Sequence, residues 1–168
     1  KAALPEGFPL IGFAGSPWTV AVYAIEGRGG TDKKNPKLWA YTRPDDLKAV
    51  LDYLVVVTTE YLKTQVEAGA DALMLFDSWA ENLPDHVFDW LVIEPTRKLV
   101  ENLRSAGVTV PIIGFPRGAG AKLADYVAQT GVNSVGLDTG QVPSFVNTSL
   151  PKGFPVQGHL DPLSVIAG

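Results

Sequence analysis

Residues 44–77 read PDDLKAVLDYLVVVTTEYLKTQVEAGADALMLFD, and this stretch decides the fold class. Its first part keeps apolar residues at helical spacing as far as Val66, with acidic residues in the first turn, where a helix favours them. Gly69 then supplies a helix stop. Residues 71–77 form a nearly continuous apolar run, which is typical of a parallel strand buried on both faces. A helix followed by such a strand predicts an α/β fold.

The same alternation of strand and helix recurs along the chain. Strands are predicted at residues 9–14, 71–77, 110–115, 133–138 and 154–158. Helices are predicted from Pro17, capped by Ser16, and at residues 44–67, 84–107 and 121–129, and residues 142–150 are predicted to form a short helix or a turn. This order predicts βαβ units and a parallel sheet, and an open doubly wound sheet and a closed barrel both fit it. In either fold the chemistry lies beyond the carboxyl ends of the strands.

Composition restricts the class of protein. The 168 residues, 46% of them hydrophobic, suffice for a single domain over residues 1–168. A net charge of −4 argues against non-specific nucleic-acid binding, and no apolar run approaches the roughly 20 residues that cross a bilayer. The absence of cysteine excludes disulfides, thiolate zinc sites and iron–sulfur ligation. The two histidines have no metal-binding spacing, so we expect no metal.

Polar and glycine-rich segments follow the predicted strands. Asp77 and Ser78 could cap a helix as well as act on a ligand, and Tyr23 lies on an apolar helix face where core packing is the plainer interpretation. Arg117, in a glycine-rich loop, is suited to bind a carboxylate or phosphate, or is simply a surface arginine. Residues 27–31 are either a connector or a loop over an anion. The rim therefore predicts a site for an anionic small molecule.

Taken in order, the rim segments resemble those of one family, the uroporphyrinogen decarboxylases. The family's segments PLIGFAGAPWT, Y-x-(I/V)-EG, EAGA, FDSWAG, VGLDW and QGNLDP are matched here by PLIGFAGSPWT (9–19), YAIEG (23–27), EAGA (67–70), FDSWA (76–80), VGLD (135–138) and QGHLDP (157–162). The stretch VPIIGFPRGAG (110–120) matches its next strand and loop. The resemblance covers essentially the whole chain.

The resemblance implies a partial (β/α)8 TIM barrel, with about five parallel strands alternating with helices. It implies an enzyme that removes the four acetate carboxyls of uroporphyrinogen III as CO2, giving coproporphyrinogen III. Such an enzyme uses no cofactor or metal and acts on its tetrapyrrole substrate as a homodimer in the cytoplasm, with no nucleic-acid or membrane partner.

The resemblance also assigns residues to the cleft. Tyr23 and Ser78 are implied to be catalytic, as hydrogen-bond donors to substrate carboxylates, which favours this interpretation of Tyr23 over core packing. Phe13, Gly15 and Trp18 are implied to line the cleft wall. Arg117 is a further expectation of ours, since its charge would favour an octa-anionic substrate.

Several features depart from the family pattern. Thr139 stands where the family has the tryptophan of VGLDW, Glu81 replaces the glycine of FDSWAG, and His159 replaces the asparagine of QGNLDP. The family's central aspartate and its RQAGRY arginines fall upstream of the matched segments, and a histidine falls downstream. We therefore expect these residues alone to be inactive. Five of eight strands would also leave open edges, which predicts aggregation or pairing with another copy.

Two other interpretations stay open. A corrinoid-dependent methyltransferase would share the barrel, but such enzymes hold zinc with His and Cys, and this chain has no Cys. A non-catalytic truncated fragment would keep the shape of the fold without its activity.

Overall fold

The computed structural model describes residues 3–27 and 32–168 and contains one parallel sheet. Its strands are β1 (Ile11–Gly15), β2 (Ala72–Asp77), β3 (Ile112–Pro116), β4 (Ser134–Leu137) and β5 (Val156–Gly158). They lie side by side in chain order, and every neighbouring pair is parallel. The sheet is open, with β1 and β5 at its edges. The predicted partial barrel of five parallel strands alternating with helices is confirmed.

Helices connect the strands. They are α1 (Pro17–Glu26), α2 (Lys34–Thr42), α3 (Pro44–Glu67), α4 (Asp85–Phe88), α5 (Glu94–Ser105), α6 (Leu123–Thr130), α7 (Pro143–Ser149) and α8 (Pro162–Ala167). The sequence did not predict α2. Its first turn contains Pro36, and only Pro36 and Ala40 are buried, so the segment lacks the apolar stripe that identifies a packed helix.

A π-helical turn, Asp89–Ile93, interrupts the single helix predicted over residues 84–107. The Glu94 N–H donates to the Asp89 carbonyl, five residues back. Pro95 follows and has no N–H, and a proline ring collides with the carbonyl four residues earlier in a regular α-helix. The wider turn gives that ring room between α4 and α5.

The core lies on one face of the sheet. Helices α1 and α3 pack against β1 and β2, and α5 packs against α3 and α6. Side chains that are fully buried there include Trp18, Leu47, Leu51, Leu62, Leu73, Leu75, Phe88, Leu99, Leu103 and Ile112. The opposite face, which we call the concave face, is uncovered at β1, where the side chains of Ile11 and Phe13 are 46% and 61% exposed.

A side chain occupies the free edge of β1. The Phe13 N–H donates to Gln65 Oε1 at 2.8 Å, and Gln65 Nε2 donates to the Phe13 carbonyl at 3.0 Å. These are the two backbone groups that a neighbouring strand would pair with in a parallel sheet. The Gln65 amide therefore takes the place of a peptide group at this edge, which would otherwise be a template for pairing.

Replacing Gln65 with leucine should lower the free energy of unfolding by about 1–2 kcal/mol, because two hydrogen bonds are lost. Urea unfolding followed by circular dichroism measures this. The matched control is Gln129→Leu at an exposed position of α6. Equal losses in the two variants would show that the edge contact contributes nothing.

Candidate functional site

Backbone hydrogen bonds bring the carboxyl ends of the strands together. The Ser16 N–H donates to the Phe76 carbonyl at 2.9 Å, and the Arg117 N–H donates to the Asp77 carbonyl at 3.1 Å. At the other end of the sheet, the His159 N–H donates to the Leu137 carbonyl at 3.0 Å. The segments that follow successive strands therefore form one continuous rim.

Asp138 organises two of the rim loops. Its Oδ2 accepts the Gly118 N–H at 2.7 Å, and its Oδ1 accepts the Gly140 N–H at 2.8 Å. Both carboxylate oxygens thus accept hydrogen bonds from backbone N–H groups, and one of these groups belongs to the loop that contains Arg117. Asp138 acts here as a support for the loops.

The residues that depart from the family pattern are also placed at this end. His159 adopts a left-handed backbone conformation with φ 71°, a region that asparagine enters more readily than histidine. Its Nε2 donates to the Gln141 carbonyl at 2.7 Å, so the ring ties two loops together. Glu81 lies against Gly118, where an added Cβ would come within 2.6 Å of the Glu81 Cβ. Thr139 is exposed.

A buried polar cluster anchors the loop after β2. The Thr19 hydroxyl donates to Asp77 Oδ1 at 2.7 Å and accepts the Trp79 N–H at 3.3 Å. Trp18 Nε1 donates to the Trp79 carbonyl at 2.8 Å. Residues 18 and 19 of α1 therefore fix the segment on both sides of Ser78.

Tyr23 and Ser78 are connected through Trp79. The Tyr23 ring meets the Trp79 ring edge to face, with centroids 5.9 Å apart, and Ser78 is the residue before Trp79. Tyr23 is 45% exposed, so it is not the core residue that its apolar helix face first suggested. Ser78 is partly buried. Two predicted catalytic side chains thus lie on elements that the structure joins directly.

Three phenylalanines form a row across the concave face. Phe13 and Phe76 pack edge to face with centroids 5.9 Å apart, and Phe76 and Phe115 do the same at 6.0 Å. Phe76 and Phe115 are direct partners in the strand register, each one residue from the end of its strand. The row gives the rim an apolar floor.

The other predicted residues are placed differently. Gly15 ends β1 beside this row and is partly buried, and Arg117 is exposed in the loop after β3. Trp18 is fully buried in the core, so it supports the wall from behind through Trp79 and does not line it. Residues 28–31 of the predicted anion loop lie outside the described residues.

The site is open rather than enclosed. A cavity of about 250 Å³ includes Phe13 and Gly15 but extends towards Val57 and Tyr61 at the β1 edge. A cavity of about 590 Å³ lies between α7 and β5. Neither contains Tyr23 or Ser78. Within residues 3–27 and 32–168, no group of three or more His, Asp or Glu side chains is placed to hold a metal ion.

No helix in the described part of the chain is both long and apolar enough to cross a membrane.

Asp77 has an unusual electrostatic environment. Burial raises the pKa of its carboxyl from 3.8 to about 7, and the Thr19 hydrogen bond only partly offsets this. Asp77 Oδ2 has no hydrogen-bond partner in the described structure. Nearby, burial and the Asp77 carboxylate raise the pKa of Tyr126 well above its usual range. Near neutral pH Asp77 therefore exists partly as the neutral acid.

Sequence reasoning missed three contributors to the site. Thr19, Phe76 and Phe115 were present in the matched segments but were not selected. Phe76 stands one residue before the end of its predicted strand and Phe115 at the end of the next, and this similar position was a usable signal. The role of Thr19 depends on a contact with a residue 58 positions away, which no local pattern reveals.

Asp77→Asn should abolish a pH dependence of stability. Because folding raises the pKa of Asp77, the folded state holds more protons between about pH 4 and pH 7, and the free energy of unfolding falls as pH rises through this range, by at most about 1.4 kcal/mol per pH unit. The asparagine variant should lose this slope and be more stable at pH 8. Denaturant unfolding between pH 4.5 and 8.5 tests this prediction, with Asp125→Asn at an exposed position of α6 as control. An unchanged slope in the Asp77 variant would contradict the assignment.

Comparison with known proteins agrees with the geometry. The family model described as uroporphyrinogen decarboxylase (URO-D) matches residues 1–168. The chain is 67% identical over its whole length to a protein of Hyphomonas neptunium named uroporphyrinogen decarboxylase, covering 49% of that protein. Proteins of the same name from Maricaulis maris and Caulobacter vibrioides are each 49% identical, over 98% and 100% of this chain and 48% and 47% of their own lengths. The chain spans about half the length of these curated relatives. It belongs to the uroporphyrinogen decarboxylase family.

Proposed function

We propose that this chain carries the substrate-binding rim of a uroporphyrinogen decarboxylase. Such an enzyme breaks the bond between the methylene carbon and the carboxylate of each acetate side chain of uroporphyrinogen III, and CO2 leaves. A proton takes the place of CO2 on the methylene carbon, which leaves a methyl group. Four such steps convert uroporphyrinogen III into coproporphyrinogen III.

The observation that carries the proposal is that two polar side chains, Tyr23 and Ser78, lie at the rim beside the apolar surface of the phenylalanine row. Tyr23 and Ser78 are linked through Trp79 at the rim, and the Phe13–Phe76–Phe115 row lies on the concave face beside it. A tetrapyrrole offers the complementary surface, with apolar pyrrole rings and carboxylates around the periphery. Aromatic side chains suit the rings, and hydroxyl donors suit the carboxylates.

Three side chains of the rim have roles in substrate binding under this proposal. Tyr23 and Ser78 donate hydrogen bonds to acetate carboxylates and orient the bond that breaks. Arg117, exposed at the neighbouring loop, adds positive potential for an anionic substrate. Its loop is held by Asp138, which fixes the position of the backbone but leaves the guanidinium outside these contacts.

Proton transfer to the pyrrole does not involve the rim residues named above. Electrons released by the departing carboxylate need a protonated pyrrole to receive them, and the cationic intermediate is stabilised by a nearby anion. Asp77 is buried beside Thr19 among the helices, so it is not that anion. The family resemblance gives this part to an aspartate that precedes the matched segments. The homodimer and the cytoplasmic location implied by the resemblance stay predictions.

A chimera tests the proposal. Residues 1–168 replace the matching half of the Hyphomonas neptunium relative, and conversion of uroporphyrinogen III is followed by chromatography of the oxidised products. We expect the chimera to form coproporphyrinogen. Tyr23→Phe and Ser78→Ala should each lower kcat/KM by about tenfold to a hundredfold, as the loss of a hydrogen bond to a charged group predicts.

Matched controls separate the site from general damage. Tyr53→Phe removes a hydroxyl from an exposed tyrosine of α3, and Ser105→Ala does so at the exposed end of α5. Both should leave kcat/KM within about twofold. A well-folded chimera that converts no substrate contradicts the proposed function. Activity that is equal in site and control variants contradicts the roles of Tyr23 and Ser78.

A further inference from the structure

One buried hydroxyl contacts the residues on both sides of Ser78. Thr19 Oγ1 donates to Asp77 Oδ1 at 2.7 Å and accepts the Trp79 N–H at 3.3 Å. The Trp79 amide can only donate, so the Thr19 oxygen accepts there and its one proton is available for Asp77. Thr19 is 3% exposed and Asp77 is 0% exposed, so water does not take over either hydrogen bond. A single side chain of α1 thus connects residues 77 and 79.

The backbone next to Ser78 is held by two residues of α1. Thr19 accepts the N–H of the peptide group that follows Ser78, and the Trp18 indole N–H donates to the Trp79 carbonyl at 2.8 Å. Only one χ angle separates the backbone of a serine from its hydroxyl oxygen, so the position of that oxygen follows the backbone and the choice among three rotamers. Removing the Thr19 hydroxyl therefore frees the peptide group nearest to the Ser78 side chain.

Thr19 also lies on the same helix as Tyr23. The two residues are four positions apart in α1 and therefore occupy one face of it. The Tyr23 ring contacts the Trp79 ring, and the Thr19 hydroxyl holds the Trp79 backbone. The tyrosine and the serine of the candidate site thus have a common support, and Thr19 is the part of this support that contacts both neighbours of Ser78.

We propose that Thr19 is a positioning residue for the decarboxylation, because its hydroxyl sets the place of the Ser78 hydroxyl through residues 77 and 79. The inference rests on the proposed function, in which Ser78 donates a hydrogen bond to a substrate acetate. Thr19 is buried behind the rim, so it acts through the loop and does not touch the substrate. A misplacement of about 1 Å costs about a hundredfold in rate, which is why a hydroxyl outside the cleft has a measurable effect on the reaction.

A double-mutant cycle between Thr19 and Ser78 tests the inference. The chimera with the Hyphomonas neptunium relative supplies the activity, and kcat/KM for uroporphyrinogen III is measured at a temperature where circular dichroism shows each variant folded. Thr19→Val keeps the shape of the side chain and removes the hydroxyl. It should lower kcat/KM about tenfold when Ser78 is present and less than about threefold in the Ser78→Ala background, where no hydroxyl is left to misplace. Thr19→Ser keeps the hydroxyl and should stay within about threefold of the parent.

Thr130→Val is the matched control. Thr130 is also buried, and its hydroxyl donates to the Tyr126 carbonyl at 2.7 Å within α6, away from the serine loop. Its replacement removes the same kind of hydrogen bond and should leave kcat/KM within about twofold in both backgrounds. Thr19→Ala is carried through the same cycle, so that the test does not depend on the folding of the valine variant.

The outcomes separate the inference from the proposed function. An equal loss from Thr19→Val with and without the Ser78 hydroxyl overturns the inference and leaves the proposed function in place. A loss in Thr19→Ser as large as that in Thr19→Val overturns it as well, since the hydroxyl would then not be the group responsible. A folded parent chimera that converts no uroporphyrinogen contradicts the proposed function, and the inference with it.

Discussion

The hydrogen bond from Thr19 to Asp77 joins the first helix to the end of the second strand, and the rim is built on that connection. Thr19 also holds the Trp79 N–H, so one hydroxyl fixes both the strand end and the loop that leaves it. Since Tyr23 lies one turn further along α1 and contacts the Trp79 ring, the positions of Tyr23 and Ser78 follow from the same contact. The cluster is buried because it lies behind the rim, and burial in turn keeps Asp77 partly protonated near neutral pH.

Local pattern was sufficient for most of the fold. The near-continuous apolar strands and the long α3 stripe predicted a parallel sheet with helices, because burial on one helix face and along the strands leaves a periodic signal. It failed at α2, whose polar, proline-containing sequence has little apolar periodicity. It also failed to show the π turn, since the conflict between Pro95 and the helical hydrogen-bond pattern is resolved only in three dimensions.

The candidate site, like the fold, could be predicted only in part from the sequence. Residues at strand ends could be selected from sequence because parallel strands finish at one edge, and Tyr23, Ser78 and Phe13 are all placed there or beside it. Trp18 was misjudged because helix position alone does not say whether an indole faces the core or the rim. The role of Thr19 emerges only from its contact with a segment far away in the chain.

The amide of Gln65 at the β1 edge has a further consequence for association. Any strand that pairs with β1 must first displace a side chain that satisfies both Phe13 backbone groups and belongs to the same chain. A tethered competitor is present at a high effective concentration, so weak or transient encounters are outcompeted. Only a partner that adds contacts beyond those two hydrogen bonds can exchange with it. The edge is therefore selective, in that it admits an extensive partner and resists chance pairing with short extended segments.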